Sequence, residues 1–254
     1  MKEISKEELK MEPLTGKIHS IETCGTVDGP GIRVAVFLQG CPLRCQYCHN
    51  PDTWRLDEGK SYTVEEVVKE IIKYKSYMRF SGGGVTLTGG EPLMQPEFVK
   101  AVFEACREQG IHTALDTSGA LFCDKSKEVL KETDLVLLDI KSFSPEKYQK
   151  VTGGKLAPTL KLLEYTKEKK IPVWVRYVLV PGLTDDLENI KAMANYLKNY
   201  SNVEKVEILP FHKMGEYKWK KRAESYALKE VKEPEEALVK KVKDLFINNL
   251  ETLD

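Results

Sequence analysis

The chain has 254 residues, 41% of them hydrophobic and 31% charged, which suits one substantial core and does not suit a disordered or fibrous protein. Lys plus Arg and Asp plus Glu balance at 39 each, which argues against a long-range field for nucleic acid or anionic lipid. No apolar run approaches the roughly 18 residues of a membrane helix, and the opening MKEISKEELKMEPL mixes both charge signs where a signal peptide has an apolar centre. The reading is a single cytoplasmic domain over residues 1–254, with no nucleic-acid or membrane partner.

Taken in chain order, residues 1–15 read as a charged N-terminal extension. Ile32 to Gln39 is the first strand-like run, and it is continuously apolar rather than alternating, as expected of a strand covered on both faces. A Gly- and Pro-containing loop with Cys41, Cys45 and Cys48 follows it. TVEEVVKEIIKYKSYM then reads as a helix with Val64, Val67, Val68, Ile71 and Ile72 on one face. Further strand-like runs are Val85–Thr88, His112–Asp116, Leu135–Ile140, Val173–Val180 and Val203–Leu209, separated by helical stretches. Lys213–Pro234 reads as a Lys-rich, turn-containing connection, and a last amphipathic helix is expected from about Glu235 to Leu250.

Repeated β/α alternation predicts a parallel sheet with right-handed crossovers, either open and doubly wound or barrel-like. Polar residues gather where the strands end: Gly89, Gly90 and Glu91, then Asp116 and Thr117, then Asp139 and Lys141, and finally His212. In α/β folds the loops at the carboxyl edge converge on the site. Taken singly, each of these residues also suits a turn or a helix cap.

In a reducing compartment the six cysteines are expected as thiols rather than disulfides. Cys24, Cys106 and Cys123 stand apart and read as structural. Cys41, Cys45 and Cys48 are separated by three residues and then two, so one loop can wrap a soft metal. Zinc normally takes four ligands, and His49 is not at a usual spacing for the fourth. The run from Cys45 to His49 also matches the c-type haem attachment pattern, which would leave Cys41 idle. A cubane iron–sulfur cluster on three thiolates keeps one iron open to a substrate.

The C-x3-C-x-aromatic-C loop after the first strand resembles the signature of the radical S-adenosylmethionine superfamily, and Gly89-Gly90-Glu91-Pro92 resembles its GGEP motif. The segments GKIHSIETCGTVDGPGIR, YCHNPDTW, SGGGVTLTGGEP, LDTSG, LVLLDIK, VWVRYVLVPG and EILPFHKMGEYKW extend the likeness to the glycyl-radical enzyme activases. No cysteine-rich insert follows His49, as in the branch of that family acting on pyruvate formate-lyase.

This resemblance implies an α/β partial (β/α)6 TIM-like barrel with the site at the C-terminal strand ends. It implies one 4Fe-4S cluster on Cys41, Cys45 and Cys48, and S-adenosyl-L-methionine as cosubstrate. Tyr47, Cys48 and His49 would border that molecule, Gly90 would meet its amine, Asp139, Ile140 and Lys141 would contact its methionyl end, and His212 would lie near the nucleoside. Arg176 is a further expected contact, or an ordinary ion pair of the barrel. Asp116, Thr117 and Asp139 would hold Na+ or K+. Asp28 would meet the substrate peptide, although DGPG is also a good turn.

Implied partners are the glycine loop of pyruvate formate-lyase and an electron donor such as flavodoxin or ferredoxin, with the activase itself a monomer. Lys213, Lys218, Lys220, Lys221 and Arg222 suit either a partner surface or a solvated loop. The rival functions are activation of another glycyl-radical enzyme and a non-catalytic iron–sulfur or zinc redox sensor.

Overall fold

The computed structural model describes residues 13–247, in which eight strands form one sheet. Strand β1 (Thr15–Gly25) turns into β2 (Arg33–Leu38), and the cysteine loop leads to the short β3 (Lys60–Thr63). Helices α1 (Val64–Ile72) and α2 (Lys75–Ser81) precede β4 (Gly84–Gly89), which is followed by α3 (Pro96–Glu108), β5 (His112–Thr117), α4 (Asp124–Lys131) and β6 (Leu135–Asp139). Helices α5 (Pro145–Thr152) and α6 (Leu156–Lys169) lead to β7 (Val173–Leu179), then α7 (Leu187–Leu197) and β8 (Val203–Pro210). The described residues end in α8 (Glu216–Lys221) and α9 (Glu236–Ile247).

The strand order is β3-β1-β2-β4-β5-β6-β7-β8. From β2 to β8 every neighbouring pair is parallel, whereas β1 is antiparallel to both β2 and β3. Among the described residues β3 and β8 do not pair, so the sheet is an open, partial barrel. All six expected parallel strands are present, with ends shifted by one residue at most.

Strands β1 and β3 were not expected as elements. In β1 the apolar residues Ile18, Ile21 and Cys24 stand three apart among polar ones, and past Ile18 its side chains are partly covered or exposed, so it lacks the apolar continuity of the parallel strands. Residues 1–12 and 248–254 lie outside the described residues, and with them most of the expected N-terminal extension and the end of the last helix.

The expected helix over residues 63–78 is two helices. Thr63 caps α1 by accepting from the Glu66 amide while Glu66 accepts from the Thr63 amide, and the chain breaks at Lys73 and Tyr74 before α2. Of the expected apolar face, Val67 and Ile71 are buried, but Ile72, at the edge of the stripe they define, is exposed. Lys213–Pro234 also holds more order than a connection, since α8 forms within it.

One core joins the sheet to the helices: Phe98, Val99, Val102 and Phe103 of α3 are buried in it together with Val85 and Leu87 of β4, as are Val242 and Phe246 of α9 with Val203 and Ile208 of β8. Cys106 is buried in this core. Cys24 and Cys123, expected as structural thiols, are exposed. A second apolar cluster lies at the carboxyl ends of the strands and contains Leu43, Cys45, Tyr47, Trp54 and Trp219.

Candidate active site at the carboxyl ends of the strands

The cysteine loop is suspended from two supports. Gly40 and Cys41 donate their amides to the carbonyls of Thr53 (2.7 Å) and Trp54 (3.1 Å), while Arg44 and Gln46 donate to Thr152 (2.8 Å) and Val151 (3.0 Å) at the end of α5. Gly40 turns the chain out of β2 with φ +97°, a conformation that L side chains rarely adopt. Cys45 is buried, and Cys41 and Cys48 are half-buried. Burial raises all three thiol pKa values, that of Cys45 to about 12, and Glu91 pushes Cys41 further up. Among the described residues no three His, Cys, Asp or Glu side chains are placed to hold a single metal ion, so the three thiols suit a larger soft group such as an iron–sulfur cluster, whose charge displaces the protons that burial retains.

All three thiols open on a cavity of about 510 Å³. From the cysteine loop it is lined by Tyr47 and His49, from the β4 turn by Gly90, and from the ends of β5 and β6 by Asp116, Thr117, Asp139 and Lys141. Arg176, His212 and Asp28 complete the predicted set around the same space. Ile140 does not line it: its side chain is in the core, and its amide donates to the Arg176 carbonyl at 3.1 Å.

Two buried polar atoms on this wall, Tyr47 Oη and His212 Nδ1, have no hydrogen-bond partner in the protein. Buried groups of that kind are normally satisfied, so the cavity fits a polar ligand. The His49 and His212 rings lie 4.2 Å apart, and His49 Nε2 is 3.1 Å from the His212 carbonyl. Lys141 Nζ is 2.5 Å from Asp139 Oδ2 and 5.7 Å from the Tyr47 ring centre. Burial opposes its charge, but the carboxylate of Asp139 outweighs that and holds the ammonium protonated.

Arg176 is both an ion-pair hub and a cavity wall. It bonds to Asp116 (3.1 Å) and Glu207 (3.2 Å), and it also donates to the Val27 carbonyl. Burial raises the Asp116 pKa to about 6 against the pull of Arg176, and Thr88 Oγ1 donates to the same carboxylate at 2.7 Å. Asp28 is likewise raised by burial.

The three residues expected to hold a cation share the cavity, but their side chains serve separate partners. Asp116 bonds to Arg176 and Thr88, Thr117 donates to Glu91, and Asp139 pairs with Lys141. The expected alternative for Asp116, capping of the following turn, is absent from its hydrogen bonds, which run to Thr88 on the adjacent β4 and to Arg176 on β7, two strands away.

Glu91 proves to be a structural hub. Its buried carboxylate accepts from the Leu93 amide, Thr117 Oγ1, the Ser118 amide and Ser118 Oγ, which locks the turn after β4 to the turn after β5. The need for glycine at Gly90 also has a second cause: a Cβ there would strike the Gly40 carbonyl behind the cysteine loop.

Sequence reasoning missed Arg33, Trp54 and Trp219. Arg33 is fully buried and donates to Thr86 Oγ1 (2.5 Å) and to the Pro30 (3.2 Å) and Val85 (2.6 Å) carbonyls, while Thr86 Oγ1 holds the Asp28 carbonyl at 2.6 Å. Trp219 donates its indole N–H to the Cys48 carbonyl at 2.8 Å and meets Trp54 edge-on at 5.1 Å. The spacing of Gly215, Lys218, Trp219 and Arg222 is that of one helical face, a signal that the lysine-rich composition obscured.

The model of the radical SAM superfamily matches residues 35–194. The chain is 49% identical over 234 residues to the pyruvate formate-lyase-activating enzyme of Clostridium pasteurianum, covering 91% of this chain and 98% of that one. It is 45% identical over 235 residues to the enzyme of the same name from Listeria monocytogenes, covering 90% and 95%. A solved domain of the pyruvate formate-lyase-activating enzyme of Bacteroides vulgatus superimposes with a TM-score of 0.56 at 28% identity, over 66% of this chain and 95% of that one. The cysteine loop, the glycine turn and these likenesses agree: the chain belongs to the radical SAM superfamily and, within it, to the family of the pyruvate formate-lyase-activating enzymes.

Proposed function

We infer that this protein activates pyruvate formate-lyase by generating a radical on a backbone glycine of that enzyme. The observation that carries the reading is the opening of Cys41, Cys45 and Cys48 on the same cavity as Gly90, Lys141 and His212. The residues fit the family's two cofactors, with three soft ligands for a 4Fe-4S cluster beside a polar space for S-adenosylmethionine. When both are bound, the reduced cluster supplies the electron that splits S-adenosylmethionine into methionine and a 5'-deoxyadenosyl radical, which takes a hydrogen atom from the glycine.

The protein's part is to bind, orient and exclude water. Cys41, Cys45 and Cys48 hold the cluster. The Gly90 turn, Asp139 and Lys141 hold the methionyl end, with the ammonium of Lys141 kept charged by Asp139 and available to a carboxylate. Tyr47, His49 and His212 wall the nucleoside side. Val27 and Asp28, held by Arg176 and Thr86, form the side on which the glycine loop enters. Abstraction of the hydrogen atom requires no protein acid or base.

The same reading assigns Na+ or K+ to Asp116, Thr117 and Asp139, whose hard oxygens lie at adjacent strand ends around one cavity and would leave their present partners to share the ion. It also assigns an external one-electron donor such as flavodoxin or ferredoxin, a monomeric state and a cytoplasmic site of action, where thiols remain reduced. The test is anaerobic mixing of the reconstituted protein with pyruvate formate-lyase, reductant and S-adenosylmethionine. A glycyl radical signal in electron paramagnetic resonance is expected, and its absence with an intact cluster would refute the reading.

A further inference from the structure

Helix α8 lies beyond the last parallel strand, yet its contacts run to the loop that leaves the first one. Gly215, at its start, packs so closely on His49 that a Cβ would sit 2.8 Å from the His49 Cα. Lys218 Nζ donates to Asn50 Oδ1 at 2.7 Å and pairs with Asp52 at 3.4 Å, and Asp52 in turn meets His19 of β1 at 3.0 Å. Trp219 donates to the Cys48 carbonyl, and Arg222 pairs with Glu58 at 2.6 Å. These four positions form one helical stripe, and all of them face the segment from Cys48 to Glu58.

The contact is sealed as well as tied. Trp219 stands between Trp54 and Tyr226, with ring centres 5.1 and 5.2 Å away, and the Arg44 guanidinium covers the Trp54 ring at 4.8 Å. Trp54, Trp219 and Tyr226 are buried in the same apolar cluster as Cys45, with Cys41 and Cys48 packed against it. The outward residue Tyr217 is 61% exposed, so the helix presents one committed face and one free face.

We propose that α8 is a clasp across the open seam of the barrel, and that Trp219 is its central positioning residue, holding the Cys48 end of the cysteine loop in the shape that retains the cluster. Among the described residues the outer edge of β8 has no strand partner, and α8 joins its end to the loop after β2 by side chains instead. Groups beyond the ligands that fix a ligand's orientation control metal affinity, and their loss typically costs about tenfold to a hundredfold. Iron retention in this protein is thereby set by a helix some 170 positions downstream of the ligands, counted from Cys48 to Trp219. The clasp rests on the cluster assignment above, but its structural half concerns the polypeptide alone.

The experiment compares wild type with Trp219→Phe, which keeps an aromatic ring and loses the N–H, and with Tyr217→Ala on the free face. Hydrogen exchange on the metal-free proteins reads the loop, and iron release to a ferrous chelator reads the reconstituted ones. Trp219→Phe is expected to speed exchange over residues 41–58 while β5, β6 and β7 exchange as in wild type, and to release iron roughly tenfold faster. Tyr217→Ala is expected to behave as wild type in both assays. Unchanged exchange and iron release in Trp219→Phe overturn the proposal, and so does exchange raised equally throughout the fold. A wild type that assembles no cluster refutes the cofactor assignment, while the exchange result still decides whether the clasp exists.

Discussion

Thr117 Oγ1 donates to Glu91 Oε1 at 2.6 Å, so the glycine turn after β4 and the turn after β5 form one unit below the cavity. Four donors converge on that buried carboxylate. Glu91→Gln places an amide N–H₂ against donors and leaves at least one unsatisfied. A loss of about 2–4 kcal/mol is expected in urea unfolding of the metal-free protein, and weaker S-adenosylmethionine binding should accompany it because Gly90 moves with the turn. Stability within 0.5 kcal/mol of wild type, the ordinary scatter of surface substitutions, would remove Glu91 from this role.

The parallel strands were legible because burial on both faces demands continuous apolar runs, and Leu135–Asp139 could hardly be read otherwise. β1 was not, since an antiparallel strand with partly covered faces carries a weaker pattern. The cysteine loop and the strand-end residues were legible as chemistry because thiols, a glycine pair and acid–lysine pairs are distinctive at those places. Of the supports behind them, Glu91 was readable as a cap or structural acid, but the partners of all three were hidden. Glu91, Arg33 and Trp219 act through partners 26, 53 and 171 residues away, and no local spacing encodes such pairings.

The three clustered thiols should separate cleanly from the other cysteines. Cys41→Ser, Cys45→Ser and Cys48→Ser are each expected to abolish stable cluster assembly, measured as iron and sulfide content after reconstitution. Cys24→Ser and Cys123→Ser, at exposed positions, should leave both contents unchanged. Cys106→Ala should retain full iron and lose about 1–2 kcal/mol of stability through a small core cavity.

Lys141 and Asp139 stand 2.5 Å apart on the cavity wall. Lys141→Met removes the ammonium and leaves Asp139 without its partner. Because charge-assisted hydrogen bonds contribute about 1.5–3 kcal/mol, S-adenosylmethionine affinity should fall roughly tenfold to a hundredfold. Equilibrium binding to the reconstituted protein reads this directly, and iron content should stay at the wild-type level.

Gly90→Ala tests the close approach of two turns. The added methyl group meets the Gly40 carbonyl, which neighbours Cys41, so backbone must shift. Overpacking of this kind costs about 1–3 kcal/mol. The expected result is a lower unfolding midpoint together with reduced cluster content, whereas Gly182→Ala, with open space around it and φ +74°, should lower stability alone.

The central claim is that a hydrogen atom passes from a glycine of pyruvate formate-lyase to the 5'-deoxyadenosyl group formed in this cavity. It is tested most directly by supplying pyruvate formate-lyase labelled with α-deuterated glycine and analysing the 5'-deoxyadenosine by mass spectrometry. One deuterium per molecule of 5'-deoxyadenosine is predicted, in step with glycyl radical formation. Formation of 5'-deoxyadenosine without deuterium, in the presence of the labelled partner, would contradict the account.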